Sequence, residues 1–550
     1  MQLYTKDKRT AWYTSFDIKK RYGGVRTINA PEMHLKMIQS RLSKILQDCD
    51  AEIHALKGRK EGPDHPGIAH GFKRYHTIMT NGREHVRKRF VFNVDLEDFF
   101  GSFHFGRVRA FFEKNKDFKL DPKIAEILAH IVCYKGGVPQ GSPCSPVISN
   151  LIAGGMDTRL AALARDHGLT YTRYADDLTF STNLKEFPAE VAERSPGTHD
   201  WIPGKSLVRI VSQSGFSFNS QKTRMQYRDS RQEVTGLTVN AKINVGASYR
   251  YRTRAMVDRL FATGSFSFDS YYIDATGSRV EEKAVGSLRQ LLGRLTHIDQ
   301  VDRFNEALRE KHGLPKLGGD GRLKLFRDFL YYFNFYAVEQ PVIVCEGKTD
   351  NVYLRCAIKA KAAAFVSLIS GAPPELKVKF FKYTDRRTSS VIGLSGGVGG
   401  VCKLIKHYYE NHERWHVEPR PAHPVIIVID NDSGSNSVYE AIAGITKKPK
   451  PAGRAPFIHV VGNLYVVPTP PVGAKRDTDI ECLFHNDALD EKLSGKSFNK
   501  HKEIDTGTEY GKAAFALNVV AKKSGTLNFD GFIPLLQRIE AAIADYRARA

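Results

Sequence analysis

Two adjacent carboxylates, Asp176 and Asp177, interrupt a run of apolar and strand-forming residues over 171–180. Neighbouring acids repel each other and cost stability unless positive charge lies between them, so the fold has to supply that charge. A lone Asp-Asp pair is usually an exposed acidic turn, but apolar flanks favour a metal site. A third carboxylate, Asp95, directly follows a second strand-forming run over 90–94. Brought together, the three carboxylates can hold two Mg²⁺ ions, one activating a 3′ or 2′ hydroxyl and the other bridging a triphosphate.

Further motifs precede and follow these acids. In chain order they are residues 16–31 with Lys19, Lys20, Gly24, Arg26 and Pro31, then Phe100 five positions after Asp95, Gly137-Val138-Pro139-Gln140-Gly141-Ser142 with Pro146, Tyr174-Ala175-Asp176-Asp177, and Gly215-Phe216-Ser217-Phe218-Asn219 with Lys222. In this order and spacing, residues 12–335 resemble the retron-type reverse transcriptases. The resemblance implies an α+β right-hand polymerase with fingers, a palm and a helical thumb.

The resemblance also implies a role for each matching residue. Asp95, Asp176 and Asp177 would be catalytic and would hold two Mg²⁺ ions in the polymerase site. Lys20 and Arg26 would contact the triphosphate of an incoming dNTP, a role that their positive charge suits.

Three other residues have implied roles around the same nucleotide. Phe100 would exclude a ribose 2′-OH. Gln140 belongs to the loop that cradles the nucleotide and the template. Lys222 would protonate the leaving pyrophosphate.

Two short elements indicate retrons among the reverse transcriptases. Asn81-Gly82-Arg83-Glu84-His85 resembles the retron N-A-x-x-H element, with Gly82 in place of Ala, and Val234-Thr235-Gly236 matches the V-T-G element. Asn81 and His85 are therefore expected among the substrate contacts. The resemblance implies a polymerase that copies its own structured non-coding RNA from an internal guanosine 2′-OH and leaves a branched RNA–DNA.

The charge of the chain fits a nucleic-acid partner. The formal net charge is +22, and the first 330 residues carry +16 of it. Such an excess indicates a polyanionic partner. One cluster interleaves tyrosine with arginine, which suits phosphate contact combined with stacking, although any single basic cluster is equally well a solvated face. The candidate RNA contacts in this cluster are Tyr249, Arg250, Arg252 and Arg254.

Other features of the sequence indicate where the protein acts. No apolar run approaches the roughly 18 residues that a membrane span needs. Residues 1–8 are polar and lack the apolar core of a signal peptide. Seven cysteines are scattered without a C-x-x-C pair, which argues against a zinc site or a disulfide framework. We therefore expect a cytoplasmic protein with no membrane partner, and the resemblance to retron enzymes implies a bacterial one.

A second acidic constellation follows residue 340. The apolar run 342–345 leads into Glu346-Gly347-Lys348-Thr349-Asp350, and the run 424–429 leads into Asp430-Asn431-Asp432. Acids at the carboxyl ends of parallel strands face the crevice where α/β sheets bind ligands. On a continuing strand, Asp430 and Asp432 would share one face and one metal. Glu346 would complete the site or transfer a proton. The alternative is two acidic glycine turns in an α/β domain.

This second part resembles the Toprim fold of topoisomerases, primases and OLD-type nucleases. Residues 479–484 and 510–516 resemble the later acidic element and the lysine-bearing helix of the OLD-type nucleases. The resemblance implies an α/β Toprim domain with a mostly parallel sheet and one or two Mg²⁺ ions held by Glu346, Asp430 and Asp432. No tyrosine context typical of topoisomerases is evident, so a nuclease is favoured. Its substrate, DNA or RNA, stays open.

The predicted organisation has three parts. Residues 1–240 form the fingers and palm, 241–337 the thumb and RNA-binding region, and 338–550 the Toprim domain with C-terminal helices. Helices are predicted over 31–48 and 146–164 from the spacing of apolar residues.

We therefore expect a retron polymerase fused to a nuclease effector of anti-phage defence, restrained by the branched DNA. The alternatives are a group II intron-like or other bacterial reverse transcriptase with a non-catalytic Toprim nucleic-acid-binding module, or a scaffold in which one or both sites are inactive. The sequence leaves the oligomeric state open.

Overall fold

The computed structural model describes most of the chain. The described residues are 12–19, 25–58, 62, 67–195, 197, 200–273, 278–315, 320–382, 386–394, 396–415, 420–451, 453–475, 477–501 and 503–549. They form two compact units. The N-terminal unit comprises Met1–Tyr251, Asp269–Ala284 and Thr296–Leu317, and the C-terminal unit comprises Arg252–Phe268, Val285–Leu295 and Gly318–Ala550.

The first part of the chain, up to residue 311, alternates strands and helices. In order these are β1 (Tyr13–Lys19), β2 (Val25–Pro31), α1 (Met33–Leu56), α2 (Ile78–Arg83), β3 (Phe90–Asp95), α3 (Phe105–Lys114), α4 (Pro122–Val132), α5 (Ser145–Asp166), β4 (Thr170–Tyr174), β5 (Asp177–Thr182), β6 (Ala192–Arg194), β7 (Trp201–Pro203), α6 (Lys205–Gln213), β8 (Arg224–Tyr227), β9 (Glu233–Val234), β10 (Leu237–Thr238), α7 (Ala247–Thr263), β11 (Ser267–Ile273), β12 (Arg279–Val285) and α8 (Leu288–Lys311).

The central sheet of the N-terminal unit is antiparallel, with strand order β4-β5-β3-β8. Phe92 and Phe180 pair across β3 and β5 and are fully buried. They belong to one core with Ile148 and Leu160 of α5. Burying each such side chain contributes roughly 1.5–3 kcal/mol, so the helix fixes the sheet firmly. The same register places Asp95 opposite Asp177.

The remaining elements belong to the C-terminal unit. They are α9 (Asp320–Tyr331), β13 (Val342–Cys345), α10 (Asp350–Ala360), β14 (Ile369–Ser370), β15 (Glu375–Leu376), β16 (Lys379–Phe380), α11 (Arg386–Ile392), α12 (Val398–His412), β17 (Val425–Ile429), α13 (Ser435–Thr446), β18 (Ile458–Val461), β19 (Leu464–Pro468), α14 (Asn486–Leu489), β20 (Ser497–Phe498), β21 (Glu509–Tyr510), α15 (Lys512–Ala514) and α16 (Ile533–Arg549). A π-helical turn, Tyr332–Tyr336, extends α9.

The sheet of the C-terminal unit has strand order β16-β13-β17-β19-β18. The pairings from β16 to β19 are parallel, and β18 is antiparallel to β19. Strands β13, β17 and β19 are buried along their whole length. Their alternate side chains enter two different hydrophobic cores, one on each face. Burial of both faces explains why these strands are continuous apolar runs rather than alternating ones.

Within the described residues, no helix combines the length and the apolar character that crossing a membrane requires.

Candidate active sites

The structure brings Asp95, Asp176 and Asp177 together at one end of the antiparallel sheet. Strand β4 ends at Tyr174 and β5 begins at Asp177, so Ala175 and Asp176 form the turn between them. Asp95 is the last residue of β3 and is only 4% exposed. The backbone N–H of Leu96 donates to the carbonyl oxygen of Asp176 over 2.9 Å, which ties the turn to β3.

A buried ion pair supports this turn. The guanidinium of Arg173 donates two hydrogen bonds to Asp157 of α5, over 2.8 and 2.7 Å, and a third to the carbonyl oxygen of Ala175 over 3.1 Å. Ala175 has φ 56°, a left-handed conformation that side-chain-bearing residues rarely adopt without support. Gly71 contacts the same turn, since a Cβ on Gly71 would lie 2.5 Å from the backbone nitrogen of Ala175. Asn150 donates to the carbonyl oxygen of Gly71 over 2.8 Å.

The electrostatics of the three acids fit a cation-binding site. Burial, followed by the negative charges of Asp176 and Asp95, raises the pKa of Asp177 to about 7. Burial and Asp95 also raise the pKa of Asp176, while Lys222 and Arg26 act to lower it. Mutually repelling carboxylate oxygens are the donor set that Mg²⁺ prefers.

Lys222 supplies part of the positive charge in this structure. Its ammonium Nζ lies 2.9 Å from both carboxylate oxygens of Asp95. No group of three or more His, Cys, Asp or Glu side chains within the described ranges already has metal-binding geometry. Both oxygens of Asp95 point to the ammonium instead.

A cleft of about 370 Å³ is lined by Phe100 and Gln140 together with Thr27 and Asn29 of β2. The loop carrying Gln140 is held to β2, because the N–H of Asn29 donates to the carbonyl oxygen of Gln140 over 2.7 Å. Gly141, with φ 118°, permits this approach, since a Cβ there would lie 2.8 Å from the carbonyl oxygen of Asn29.

Of the two basic residues predicted to contact a triphosphate, the structure describes only Arg26. Arg26 is exposed on β2, and its charge reaches Asp176. Lys20 lies outside the described residues.

Asn81 and His85 are buried inside the protein, so the prediction that they contact the substrate directly is wrong. His85 is fully buried, with Nδ1 2.7 Å from Ser181 Oγ and Nε2 2.7 Å from Thr172 Oγ1. Thr172 donates onward to Asn81 over 2.6 Å. Burial lowers the pKa of His85 to about 3, so the ring is neutral. These side chains connect α2 to the sheet.

The four candidate RNA contacts on α7 do not form one surface. Arg250 is engaged with Asp302 over 2.6 and 2.9 Å, and the half-buried Tyr249 packs edge-on against His297. Arg252 and Arg254 are exposed. Contact of these four residues with RNA stays a prediction.

The C-terminal unit collects a second group of acids at the carboxyl ends of β13 and β17. The backbone N–H of Asp430 donates to Glu346 Oε2 over 3.4 Å. Burial raises the pKa of Asp430 to about 8, and the charges of Asp350, Glu346 and Glu481 add to this shift. The acids therefore need a positive partner.

Asp432 is placed differently from expectation. Strand β17 ends at Ile429, so the prediction that Asp430 and Asp432 share one face of a continuing strand is wrong. The exposed Asp432 accepts hydrogen bonds from the backbone N–H groups of Gly434 and Ser435, over 2.8 and 3.3 Å, at the start of α13. Burial raises the pKa of Glu346, and the negative charge of Asp432 raises it further.

Three residues of this group were not among the predicted ligands. Asp350 is 6% exposed and accepts a hydrogen bond from the N–H of Gly347 over 2.7 Å. Glu481 is 1% exposed, and Lys512 donates to its Oε2 over 2.9 Å while its Oε1 has no hydrogen-bond partner. All three lie in segments that the sequence had singled out. In the sequence, the feature that could have identified these residues is an acid or a lysine next to apolar residues in each segment.

Comparison with known proteins is informative for the first part of the chain. A profile of the family described as Reverse transcriptase (RNA-dependent DNA polymerase) matches residues 18–240. The chain is 35% identical over 274 residues to the retron Mx65 reverse transcriptase of Myxococcus xanthus, covering 46% of this chain and 57% of that protein. It is 32% identical over 261 residues to the retron Ec86 reverse transcriptase of Escherichia coli, covering 47% of this chain and 72% of that protein. The matches thus span between just over half and about three quarters of these relatives.

Among solved structures, telomerase from Candida albicans in complex with a fragment of telomeric RNA has a TM-score of 0.30 at 12% identity, covering 73% of this chain and 65% of that chain.

Proposed function

The chain belongs to the retron reverse transcriptases, and from this membership we propose that it makes branched, RNA-linked single-stranded DNA from its own structured non-coding RNA. The family predicted from the motifs is thereby confirmed, whereas the RNA, the product and the site residues belong to the proposal. The pairing of Asp95 with Asp177, next to the turn that carries Asp176, supports it most strongly.

In this proposal the acids hold the metal ions and the basic residues hold the triphosphate. Asp95, Asp176 and Asp177 would hold two Mg²⁺ ions, which supply hydroxyl activation and charge neutralisation in phosphoryl transfer. Arg26, with Lys20, would hold the triphosphate of the dNTP.

Other side chains act on the sugar, the template and the leaving group. Phe100 would exclude a 2′-OH from the incoming sugar. The loop of Gln140 would position nucleotide and template. Lys222, released from Asp95, would carry the proton to the leaving pyrophosphate.

Primer extension on the cognate RNA tests the polymerase. Wild type should incorporate dNTPs, while Asp176→Asn with Asp177→Asn should lose at least a thousandfold in rate, because the acids hold the catalytic cations. Equal extension by both proteins would show that the polymerase site is misassigned.

For the C-terminal unit we propose a Toprim-type nuclease effector over residues 338–550, acting in anti-phage defence under restraint by the branched DNA. The cluster of Glu346, Asp350, Asp430 and Glu481 supports a metal-dependent role. Glu346, Asp430 and Asp432 would hold one or two Mg²⁺ ions. The domain limits proposed for the preceding parts are 1–240 for fingers and palm and 241–337 for the thumb.

Metal-dependent cleavage of tRNA, single-stranded DNA and duplex DNA tests this effector. We expect at least one substrate to be cut by wild type and none by Glu346→Ala. The absence of any cleavage by wild type, with nucleic acid still bound, would favour the alternative of a non-catalytic Toprim binding module.

A further inference from the structure

The loop of residues 72–75 presents two aromatic rings to solvent. Phe72 is 45% exposed and Tyr75 is 65% exposed. Large apolar rings left in water cost free energy, and on nucleic-acid-binding proteins such rings contact bases and riboses. The polymerase roles proposed above do not use this loop.

The backbone of the loop holds the rings outward at a cost. Phe72 has φ 59° and Tyr75 has φ 64°, both in the left-handed region that non-glycine residues avoid. The loop is fixed at both ends. Gly71 packs against Ala175 and accepts from Asn150, and Thr77 forms a capping box at the start of α2. A strained conformation fixed in this way is preorganised rather than adaptable.

The charged residues between the two rings pair with acids of α1. Lys73 lies 3.7 Å from Asp50, and Arg74 donates to Asp48 over 2.7 Å. Both acids belong to α1. Because these cations are engaged, an apolar rather than an ionic contact is the chemistry that the exposed part of the loop offers.

The position of the loop identifies which nucleotide it meets. The ring of Phe72 lies 6.1 Å, centroid to centroid, from that of Phe100, which in the proposed function meets the sugar of the incoming dNTP. Gly71 adjoins the turn carrying Asp176, where the reacting hydroxyl of the primer has to lie. The nucleotide next to both is the terminal nucleotide of the primer strand.

We propose that Phe72 and Tyr75 form a binding surface for the primer-terminal nucleotide and hold it beside the catalytic turn. This inference rests on the polymerase function proposed above. It assigns to the loop a contribution to primer binding rather than to dNTP binding.

The test compares binding of two ligands by the full chain. The first is a fluorescein-labelled DNA primer with a dideoxy terminus annealed to RNA, measured by anisotropy, and the second is dNTP, measured as KM in extension. Phe72→Ala and Tyr75→Ala should each weaken hybrid binding about tenfold, as expected for loss of an aromatic–nucleotide contact. Phe72→Tyr and Tyr75→Phe keep the ring and should stay within about twofold of wild type. KM for dNTP should be unchanged.

Phe72→Gly separates binding from folding. Glycine adopts φ 59° without strain, so this variant should melt no lower than wild type and still lose hybrid affinity. Unchanged hybrid affinity in the alanine variants, or an increase confined to KM for dNTP, would overturn the inference while leaving the polymerase intact. Failure of wild type to bind or extend any hybrid would instead count against the polymerase function itself.

Discussion

At the scale of single residues, three carboxylates of the N-terminal site repel one another, and the ammonium of one lysine offsets part of this repulsion. Asp95 is almost fully buried and pairs with Lys222, whose ammonium lies 2.9 Å from both carboxylate oxygens. A divalent ion that binds Asp95 has to displace this ammonium.

Replacing Lys222 should therefore strengthen binding of divalent metal to the nucleotide-free protein. We expect Lys222→Met to bind Mn²⁺ about fivefold more tightly, equivalent to roughly 1 kcal/mol for a partly exposed ion pair, in a titration followed by electron paramagnetic resonance. Lys185→Met, at an exposed lysine, is the matched control. The same variant should extend primers more slowly. Weaker Mn²⁺ binding by Lys222→Met would contradict this view of the ammonium.

Asp177 should make metal-free stability depend on pH. Its pKa is about 7 in the folded chain against 3.8 ordinarily, so between these values the folded state binds more protons than the unfolded state. Stability in EDTA should thus fall as pH rises from about 4 to about 7. Asp177→Asn removes this loss and should melt a few degrees higher than wild type at pH 8 by calorimetry. Asp229→Asn, at an exposed acid, should melt like wild type. A lower melting temperature for Asp177→Asn would refute the argument.

At the scale of elements, the turn that carries Asp176 depends on parts of the chain that are distant in sequence. Helix α5 supplies Asp157 and Asn150, strand β4 supplies Arg173, and the segment before α2 supplies Gly71. Together they hold Ala175 in its left-handed conformation.

Gly71→Ala should disturb this turn because the new Cβ would lie 2.5 Å from backbone. We expect primer extension to fall at least tenfold while the protein stays folded by circular dichroism. Gly155→Ala provides the control, since nothing lies within 4 Å of its Cβ on α5. That variant should extend normally and gain about 0.5–1 kcal/mol in helix stability. Normal extension by Gly71→Ala would show that the turn tolerates displacement.

The sequence predicted elements better than the contacts between them. Apolar spacing predicted helices over 31–48 and 146–164, and the structure has Met33–Leu56 and Ser145–Asp166. Local patterns could not reveal that His85 is buried between α2 and the sheet, because its partners lie 87 and 96 residues away. The end of β17 at Ile429 is different, because Asp432 accepts hydrogen bonds from residues only two and three positions further on, a local pattern that favours a turn over a continuing strand.

At the scale of the whole molecule, each compact unit has its own group of buried acids. Asp95, Asp176 and Asp177 lie at one end of an antiparallel sheet, whereas Glu346 and Asp430 of the second group directly follow parallel strands. Adjacent acids in an apolar context were visible from sequence in both units. The supporting cations, Lys222 and Lys512, were visible only as members of motifs.

If the two acidic sites have different activities, a mutation in one site should remove its activity and leave the other. Glu346→Ala should abolish nucleic-acid cleavage and host toxicity while leaving DNA synthesis on the cognate RNA within about twofold of wild type. Conversely, Asp176→Asn with Asp177→Asn should stop DNA synthesis and leave cleavage of the nuclease substrate by the purified chain intact. Loss of both activities from Glu346→Ala would mean that the proposed domain limits are misplaced.

We expect the site of Asp95, Asp176 and Asp177 to extend DNA from a 2′ hydroxyl within the chain's own RNA. The most direct measurement is denaturing electrophoresis of products labelled with a radioactive dNTP, before and after ribonuclease digestion, for wild type and Asp95→Asn. Wild type alone should give labelled product, which shortens on ribonuclease digestion and keeps a ribonucleotide branch. Equal labelling by Asp95→Asn, or labelled DNA whose length ribonuclease does not change, would contradict it.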